Sequence, residues 1–288
     1  KNREEADMGI REDWNDKILI FDGGMGSLLQ GAGLKPGELP ETWNIKHPEI
    51  LVKIHEDYLN EGANIILSNT FGANRLKYNE TAEFNLDEIV DAAMKNARTA
   101  VEHCGRGYVA LDLGPTGRLL KPMGDLSFDE AYDTFKEMMM IGEKAGADLI
   151  HIETMSDTYE VKAAVLAAKE NTSLPVFVTM IFDEKGKLLT GGNVPAVVAL
   201  LEGLHVDALG INCGLGPEQM LPILDEIMEY TSLPVIVKPN AGLPKQRGGE
   251  VYYDVEPEAF AGYMEEIVKR GAALIGGCCG TTPSHIEA

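Results

Sequence analysis

Long hydrophobic runs are missing from this 288-residue chain. No apolar stretch approaches the ~18 residues that a membrane-spanning helix needs. The first seven residues, Lys-Asn-Arg-Glu-Glu-Ala-Asp, are charged and lack the apolar core of a secretion signal. We therefore expect no membrane contact, and the cytoplasm is the predicted compartment.

Cysteine and positive charge are also scarce. Four cysteines in 288 residues are too few for a disulfide scaffold. The 25 lysines and arginines face 46 aspartates and glutamates, which gives a net charge of −21. Such a protein repels nucleic acid and anionic membranes, so we expect neither as a partner. The charge alone does not separate a soluble enzyme from a protein that docks a basic partner.

What the chain does contain is a series of short apolar runs, each followed by Gly, Asn, Thr or Pro. These runs predict eight strands, at residues 18–22, 65–70, 109–114, 149–154, 176–182, 208–213, 235–240 and 274–278. Between them, residues 86–102, 128–145 and 159–170 carry apolar side chains at three- and four-residue spacing, which is typical of helices with one buried face.

Eight alternating strand and helix units predict an α/β protein, a single-domain (β/α)8 TIM barrel. The alternative is an open doubly wound sheet, which favours Gly-x-Gly-x-x-Gly after its first strand. Here that turn reads Asp-Gly-Gly-Met-Gly (22–26) and does not match. The barrel is assigned to residues 17–288, and residues 1–16 to an extension that closes its bottom. Residues 244–249 are predicted to be a surface loop.

The two ends of the chain suggest a fragment or a processed product. The sequence does not begin with Met, and the eighth helix is barely begun after His285. We therefore expect a truncated last helix and, with it, the possibility of further chain beyond the barrel.

Three of the four cysteines follow predicted strands. Cys213 ends the sixth strand, and the adjacent Cys278 and Cys279 end the eighth. Because parallel strands bring their carboxyl ends to one face, the three thiols predict a zinc site with one open position, as a catalytic zinc needs. The alternatives are ordinary buried cysteines and a strained disulfide between neighbours. Cys104, at a helix end, is interpreted as structural.

Several motifs resemble the homocysteine S-methyltransferase family from residue 18 to residue 285. They are Asp-Gly-Gly-Met-Gly (22–26), Thr-Phe-Gly (70–72), Gly-Ile-Asn-Cys-Gly (210–214), Pro-Asn-Ala-Gly (239–242) and Gly-Gly-Cys-Cys-Gly-Thr-Thr-Pro (276–283). The resemblance implies a zinc-bearing barrel that methylates homocysteine to methionine, with Cys213, Cys278 and Cys279 as both metal ligands and catalytic residues. Three thiolates leave the zinc with a net negative charge, which keeps a bound substrate sulfur nucleophilic.

The methyl donor is left open by the sequence. Phe-Asp-Glu-Lys-Gly (182–186), Leu-Thr-Gly (189–191) and Leu-Gly-Pro-Glu (215–218) further resemble the homocysteine-binding module of cobalamin-dependent methionine synthases. This favours methylcobalamin carried on a separate domain or partner protein, since the chain has no Asp-x-His-x-x-Gly cobalamin motif. Betaine and S-methylmethionine, which serve related barrels, are the alternatives.

Other polar residues at strand ends complete the predicted site. The family suggests that the Asn240 oxygen occupies the open zinc position before substrate arrives; otherwise it caps a loop. Glu153 and Asp22 are expected to contact the substrate, Glu153 at its amino group, and the alternative for each is a turn-stabilising carboxylate. Backbone N–H groups of Gly23, Gly24 and Met25 are candidates for binding the substrate carboxylate. Weaker candidates for substrate contact are Thr70 and Thr154.

Lys238 supports a rival function. It is predicted to point into the barrel, where a buried lysine can form a Schiff base, as in an aldolase. The other interpretation is an ion pair with a carboxylate such as Glu153. His151 is interpreted as a core histidine. A third possibility is a non-catalytic module whose zinc has no exchangeable ligand.

Overall fold

The structure is a computed structural model that describes residue 10 and residues 13–14, 17–79, 81–248 and 250–288. Within them, eight parallel strands form one sheet: β1 (Leu19–Ile20), β2 (Ile65–Leu67), β3 (Tyr108–Leu113), β4 (Leu149–Met155), β5 (Val176–Met180), β6 (Ala208–Asn212), β7 (Val235–Lys238) and β10 (Leu274–Ile275). All eight predicted strands are present.

The two edge strands of this sheet meet, so it closes on itself. The order runs β1-β10-β7-β6-β5-β4-β3-β2. Phe21, just after β1, bridges Ile65 of β2 in parallel. The N–H of Asp22 donates to the Ile65 carbonyl at 2.9 Å, and that of Asn64 donates to the Ile20 carbonyl at 2.7 Å. The predicted (β/α)8 barrel is confirmed, and the open doubly wound sheet is excluded.

Helices follow the strands around the barrel. They are α1 (Gly26–Gly31), α2 (Trp43–Lys46), α3 (Pro48–Asn60), α4 (Leu86–Cys104), α5 (Phe128–Lys144), α6 (Thr158–Asn171), α7 (Val194–Gly203), α8 (Pro217–Tyr230), α9 (Pro257–Lys269) and α10 (Pro283–Glu287). Capping boxes at Asn85 and Ser127 begin α4 and α5. The three helices predicted from periodicity are confirmed to within two residues, and the last helix is short, as expected.

Apolar side chains fill the part of the barrel interior that lies toward its amino-terminal end. Phe21 and Phe177 are fully buried there, and their ring centroids lie 6.4 Å apart. Ile10 is fully buried in the same cluster, and the Trp14 ring packs edge-on 5.2 Å from Phe177. These two residues place part of the predicted extension against the barrel bottom. Residues 1–9, 11–12 and 15–16 lie outside the described residues, so the boundary at residue 16 remains a prediction.

The predicted surface loop at 244–249 is wrong in part. Its residues contribute to an antiparallel hairpin of β8 (Lys245–Arg247) and β9 (Glu250–Tyr252). The loop prediction followed the Pro, Lys, Arg and Gly content of the segment, but the pairing partner lies just after it, in Glu-Val-Tyr (250–252). The hairpin stands at the carboxyl end of β7, beside the cysteine-bearing turn.

The two strands that precede the cysteines, β6 and β10, were predicted to extend too far. The strand β6 ends at Asn212 and β10 at Ile275, so that Cys213, Cys278 and Cys279 all lie in turns beyond the ladder. At Gly276 a Cβ would lie 2.6 Å from the Phe21 Cβ. Only glycine therefore fits where β10 leaves the sheet. Among the described residues no helix is long and apolar enough to cross a membrane.

A three-cysteine candidate metal centre at the barrel mouth

The three cysteines predicted to bind a metal come together at the carboxyl ends of β6 and β10. Their sulfur atoms all lie within 4.8 Å of one another, and Cys213 and Cys279 are 3.8 Å apart. Tetrahedral zinc with Zn–S bonds of ~2.3 Å separates its sulfur ligands by about 3.8 Å. The donor set and the spacing therefore fit zinc. Cys104, at the end of α4, lies outside the cluster, as predicted.

Tight turns bring the sulfurs together. Cys213 adopts a left-handed conformation with φ of +58°, and Gly214 follows at +73°. Gly280, after the cysteine pair, is also left-handed at +79°. A left-handed non-glycine residue is strained and is found most often at functional sites. The reversal after Asn212 turns the Cys213 side chain toward the cysteine pair in the turn that follows β10.

The thiols are electrostatically coupled. Hydrogen bonds from Cys213 and Cys278 lower the pKa of Cys279 to about 3. Hydrogen bonds with the other two cysteines, together with burial, raise the pKa of Cys278 well above its ordinary value. The cluster thus favours one thiolate and two thiols, because neighbouring negative charges repel each other. All three can ionise together only around a cation, which is the behaviour of a metal site.

Asn240 supports the cysteine turn from β7. Its Oδ1 accepts a hydrogen bond from the Cys279 N–H at 3.1 Å, and its side chain is almost fully buried. The N–H of Cys278 donates to the Pro239 carbonyl at 2.9 Å, and that of Ala241 donates to the Cys279 carbonyl at 3.0 Å. The loop-capping alternative for Asn240 is therefore present in the structure. Its zinc-facing role remains a prediction.

The hairpin loop places Tyr253 against the same turn. The Tyr253 hydroxyl hydrogen-bonds Cys279, which contributes to the lowered pKa of that thiol. The Tyr253 ring packs closely on Gly280, since a Cβ at Gly280 would lie only 2.4 Å from this ring. The N–H of Val255 donates to the Ala241 carbonyl at 2.9 Å, and the His285 ring nitrogen Nε2 lies 2.9 Å from the Val255 carbonyl. These contacts fix the Tyr253 segment over the cysteines.

The glycine turn after β1 packs directly on the cysteine turn. The Gly24 N–H donates hydrogen bonds to the hydroxyl and carbonyl oxygens of Thr281, at 3.0 and 3.2 Å respectively. Tyr58, from α3, donates its hydroxyl to the Gly24 carbonyl at 2.8 Å. The Gly24 donor is therefore used within the protein, and the prediction that this turn binds a substrate carboxylate now rests on the N–H groups of Gly23 and Met25.

A buried ion pair lies inside the barrel. Lys238 Nζ is 2.8 Å from Glu153 Oε2 and 3.4 Å from the ring nitrogen Nε2 of His151. Burial alone would raise the pKa of Glu153, but Lys238 and His151 lower it to about 2. Burial lowers the pKa of His151 to about 4, so this ring is neutral. The ion-pair interpretation of Lys238 and the core interpretation of His151 both match the geometry.

Lys238 is poorly suited to Schiff-base chemistry. Burial opposes its charge, but Glu153, Asp22 and other anions more than compensate and raise the pKa of Lys238. Its Nζ also lies 5.0 Å from the centre of the Phe21 ring, a favourable cation–π position. A Schiff-base lysine must be neutral to attack a carbonyl, and this environment stabilises the charged form.

Two further carboxylates face this ion pair. Asp22 accepts a hydrogen bond from the Leu67 N–H at 2.9 Å through Oδ2, whereas Oδ1 is buried without a partner. Burial raises the pKa of Asp22 to about 7. Asp112 on β3 likewise has an unpartnered buried Oδ1, and burial raises its pKa well above the ordinary value. Thr70, predicted to contact substrate, donates its hydroxyl to the Asp112 carbonyl at 2.7 Å.

Thr154 lies between the ion pair and an open cavity. It is left-handed, with φ of +60°, and its N–H and hydroxyl both bond the side chain of Asn212 at 2.8 Å. A cavity of about 770 Å³ opens beside it and extends past Gly214 and Leu215, which follow Cys213. Its other lining residues come from the loop after β5 and from Ser156. A cavity of this volume is large enough for a small-molecule ligand.

Sequence reasoning missed four residues that the structure places at the site: Tyr58, Asp112, Asn212 and Tyr253. Asn212 is the last residue of β6 and Asp112 the second-last residue of β3, both in inward-facing positions, so strand alternation could have identified them. Tyr58 lies on a helix and Tyr253 follows a hairpin. Only the three-dimensional structure brings them to the cysteine turn.

Comparison with known proteins agrees with this geometry. The model of the family described as homocysteine S-methyltransferase matches residues 19–288. The chain belongs to the homocysteine S-methyltransferase family. Methionine synthases of Mycobacterium leprae and Mycobacterium tuberculosis are each 32% identical to it, over 99% and 95% of this chain respectively. The chain spans only 25% and 24% of the length of these relatives.

Solved structures of this family share the architecture. The homocysteine methyltransferase MmuM from Escherichia coli in its metallated form has a TM-score of 0.80 at 25% identity, covering 99% of this chain and 98% of that one. Its oxidized form gives the same TM-score over 100% and 98% of the two chains. The carboxyl transferase domain of Rhizobium etli pyruvate carboxylase, at 12% identity, covering 96% of this chain and 42% of that one, with a TM-score of 0.56, shares the barrel fold alone.

Proposed function

We propose that this protein is a zinc-dependent homocysteine S-methyltransferase that transfers a methyl group to homocysteine and so forms methionine. The observation that carries the proposal is the cluster of Cys213, Cys278 and Cys279, whose sulfurs lie within 4.8 Å of one another at the barrel mouth. A zinc ion held by these three thiolates would supply an open position at which the substrate thiol loses its proton and stays nucleophilic. We also propose that the protein acts in the cytoplasm.

The other site residues bind and orient the substrate. Glu153, held ionised by Lys238, contacts the substrate ammonium group through Oε1, since both the Lys238 and Asn212 bonds use Oε2. Asp22 adds a second carboxylate to this contact. The N–H groups of the Gly23 turn bind the substrate carboxylate. Asn240 holds the cysteine turn and reaches the open metal position when substrate is absent.

Thr70 and Thr154 have smaller roles. The Thr70 hydroxyl bonds within the protein, so it supports the polar layer beneath the substrate. Thr154 borders the open cavity and contributes to its wall beside the metal centre.

The proposed methyl donor is methylcobalamin carried on a separate domain or partner protein. Large apolar side chains are exposed on the segments that follow the barrel strands, at the same end as the cysteines; Leu189, for example, is 74% exposed. The others are Phe71, Leu119, Met123 and Val251. An apolar rim around a site mouth suits a macromolecular carrier better than a small free donor. The relatives named methionine synthase are about four times longer than this chain, so they have room for a separate donor-carrying domain.

The test measures bound zinc and then methionine formation. Purified, reduced protein should bind one zinc per chain and methylate homocysteine with methylcobalamin. Cys213→Ser and Cys279→Ser should abolish both, whereas Cys104→Ser, the matched control outside the cluster, should retain both. A zinc-free protein, or full turnover by Cys213→Ser, contradicts the proposal. Betaine and S-methylmethionine are run in parallel, and turnover with either alone assigns the donor to that alternative.

The remaining alternatives make different predictions. A Schiff-base enzyme would be trapped covalently by borohydride with a carbonyl substrate through Lys238. A non-catalytic zinc module would show no change in the cobalt-substituted absorption spectrum when homocysteine is added. We expect no trapped adduct and a clear spectral change, because the site has an exchangeable position.

A further inference from the structure

The side chain of Asn212 connects the two halves of the proposed substrate site. It is fully buried at the end of β6, directly before Cys213. Its Nδ2 lies 3.3 Å from Glu153 Oε2, 2.8 Å from Thr154 Oγ1 and 3.8 Å from Cys278 Sγ. One amide nitrogen thus reaches both the carboxylate proposed to bind the substrate ammonium and a sulfur proposed to bind the metal.

The orientation of this amide is determined by its partners. Its Oδ1 lies 2.8 Å from the Thr154 N–H and 2.8 Å from the Thr179 hydroxyl. A backbone N–H can only donate, so the atom facing it must be the oxygen. The nitrogen must then face Glu153 and Cys278, both of which accept hydrogen bonds. A flipped amide would place its NH2 group against the Thr154 N–H and its oxygen against the Glu153 carboxylate.

The same amide stabilises strained backbone. Thr154 is a β-branched residue in the left-handed region, and Asn212 bonds both its N–H and its hydroxyl. This is also where the register between β4 and β5 shifts, between Ile152 and Met155. Because Glu153 immediately precedes the strained residue, the Asn212 bonds fix the direction in which the Glu153 carboxylate points.

We propose that Asn212 is a positioning residue that sets the spacing between the ammonium-binding carboxylate of Glu153 and the metal-ligating sulfur of Cys278. The inference rests on the proposed function. Homocysteine spans these two points with its amino group and its thiol. Cysteine is one methylene shorter, so it cannot satisfy both points at once. Asn212 thereby makes the site selective for the longer thiol amino acid.

The test replaces Asn212 with Asp, which keeps the shape and the acceptor but removes the donors. Binding of homocysteine and of cysteine to cobalt-substituted protein is followed by the thiolate-to-cobalt absorption. We expect wild type to prefer homocysteine by ~10–200-fold, the range that one methylene supports. In N212D the preference should fall at least tenfold, and the cobalt spectrum without ligand should shift because the Cys278 donor is lost.

The matched control is Asn171→Asp on α6, whose Nδ2 donates hydrogen bonds to Tyr132 and the Ala167 carbonyl, at 2.9 and 2.8 Å. It makes the same chemical change far from the metal centre and should leave preference and spectrum as in wild type. If N212D does not fold, Asn212→Ser replaces it, because a serine hydroxyl is too short to join Glu153 and Cys278.

The outcomes separate the two proposals. Wild-type protein that binds no cobalt, or no homocysteine, overturns the proposed function and this inference with it. Wild type that binds both, with a folded Asn212 variant of unchanged spectrum and preference, overturns the role of Asn212 alone. A loss of preference in the variant without a loss in N171D supports it.

Discussion

The ammonium nitrogen of Lys238 lies 2.8 Å from Oε2 of Glu153, and both side chains are buried inside the barrel. The pair keeps the carboxylate charged in a place where burial would otherwise protonate it. This relationship makes Glu153 available as an anion for a substrate ammonium group. It also makes the interior sensitive to the loss of either partner.

Lys238→Met should therefore be strongly destabilising. It leaves Glu153 buried without its cation, and breaking such a pair costs about 3–5 kcal/mol. Urea unfolding measures the loss. The double variant Lys238→Met, Glu153→Gln removes both charges and should recover most of it. Equal stability of the single and double variants would show that the ion pair is not what Lys238 contributes.

Gly23→Ala should disturb the metal centre although it is not a ligand. A Cβ at Gly23 would lie 2.5 Å from the Thr281 hydroxyl and 2.9 Å from the Tyr58 hydroxyl. Overpacking of this kind costs ~1–3 kcal/mol and displaces the neighbouring turn, so zinc affinity should fall as well. Gly26→Ala is the control, because a Cβ there meets nothing within 4 Å. Similar zinc affinities in the two variants would contradict the prediction.

Tyr253→Phe should weaken metal binding while it preserves the fold. The ring still packs on Gly280, but the hydroxyl that bonds Cys279 is gone. Loss of a hydrogen bond to a metal ligand typically lowers metal affinity ~10–100-fold. Competition with a chromophoric chelator measures the change, and Tyr230→Phe on the exposed surface of α8 is the control. We expect only the Tyr253 variant to lose zinc to the chelator; equal retention would rule out the hydroxyl as a support of the site.

His55 should make the protein sensitive to mild acid. Burial lowers its pKa from 6.5 to about 4, and both ring nitrogens are buried without partners. The unfolded chain therefore takes up the proton first as the pH falls. The contribution of the neutral His55 ring to the free energy of unfolding is fully present above pH 6.5 and is lost as the pH falls toward 4.

His55→Leu should remove this dependence. Between pH 7.5 and pH 5.5 the wild type should lose roughly 1 kcal/mol through His55, and the variant should not. The variant should also be more stable at pH 7.5 by ~1–3 kcal/mol, since two unpartnered polar atoms disappear. Urea unfolding at the two pH values tests both statements. Equal pH slopes in the wild type and in His55→Leu would contradict the prediction.

The sequence predicted the barrel because its signals are local and repeated. Each strand is a short apolar run with a turn residue after it, and helices such as α4 show their buried face in their spacing. The cysteine cluster followed from the barrel, since parallel strands gather their carboxyl ends at one face. Strand ends were less accurate, because glycine at 276 and the left-handed turn at Cys213 end the ladder before the apolar pattern stops.

The partners of these residues could not be predicted in the same way. The bond between Tyr253 and Cys279 depends on a hairpin whose second strand pairs across a turn, and Tyr58 reaches Gly24 from a helix. Asn212 shows the limit most clearly. Its position before Cys213 was visible, but its bonds to Thr154 and Glu153 reach from β6 past β5 to β4 and depend on which side chains of these strands face the barrel interior.

The contact between the Gly24 turn and Thr281 joins residues that are 257 positions apart. During synthesis, this contact can form only after nearly the whole barrel has left the ribosome. Cys213 is made long before Cys278 and Cys279, so a growing chain contains one thiol of the cluster without the other two. A centre that needs all three sulfurs can therefore assemble only after the last strand of the barrel has been made and has closed against the first.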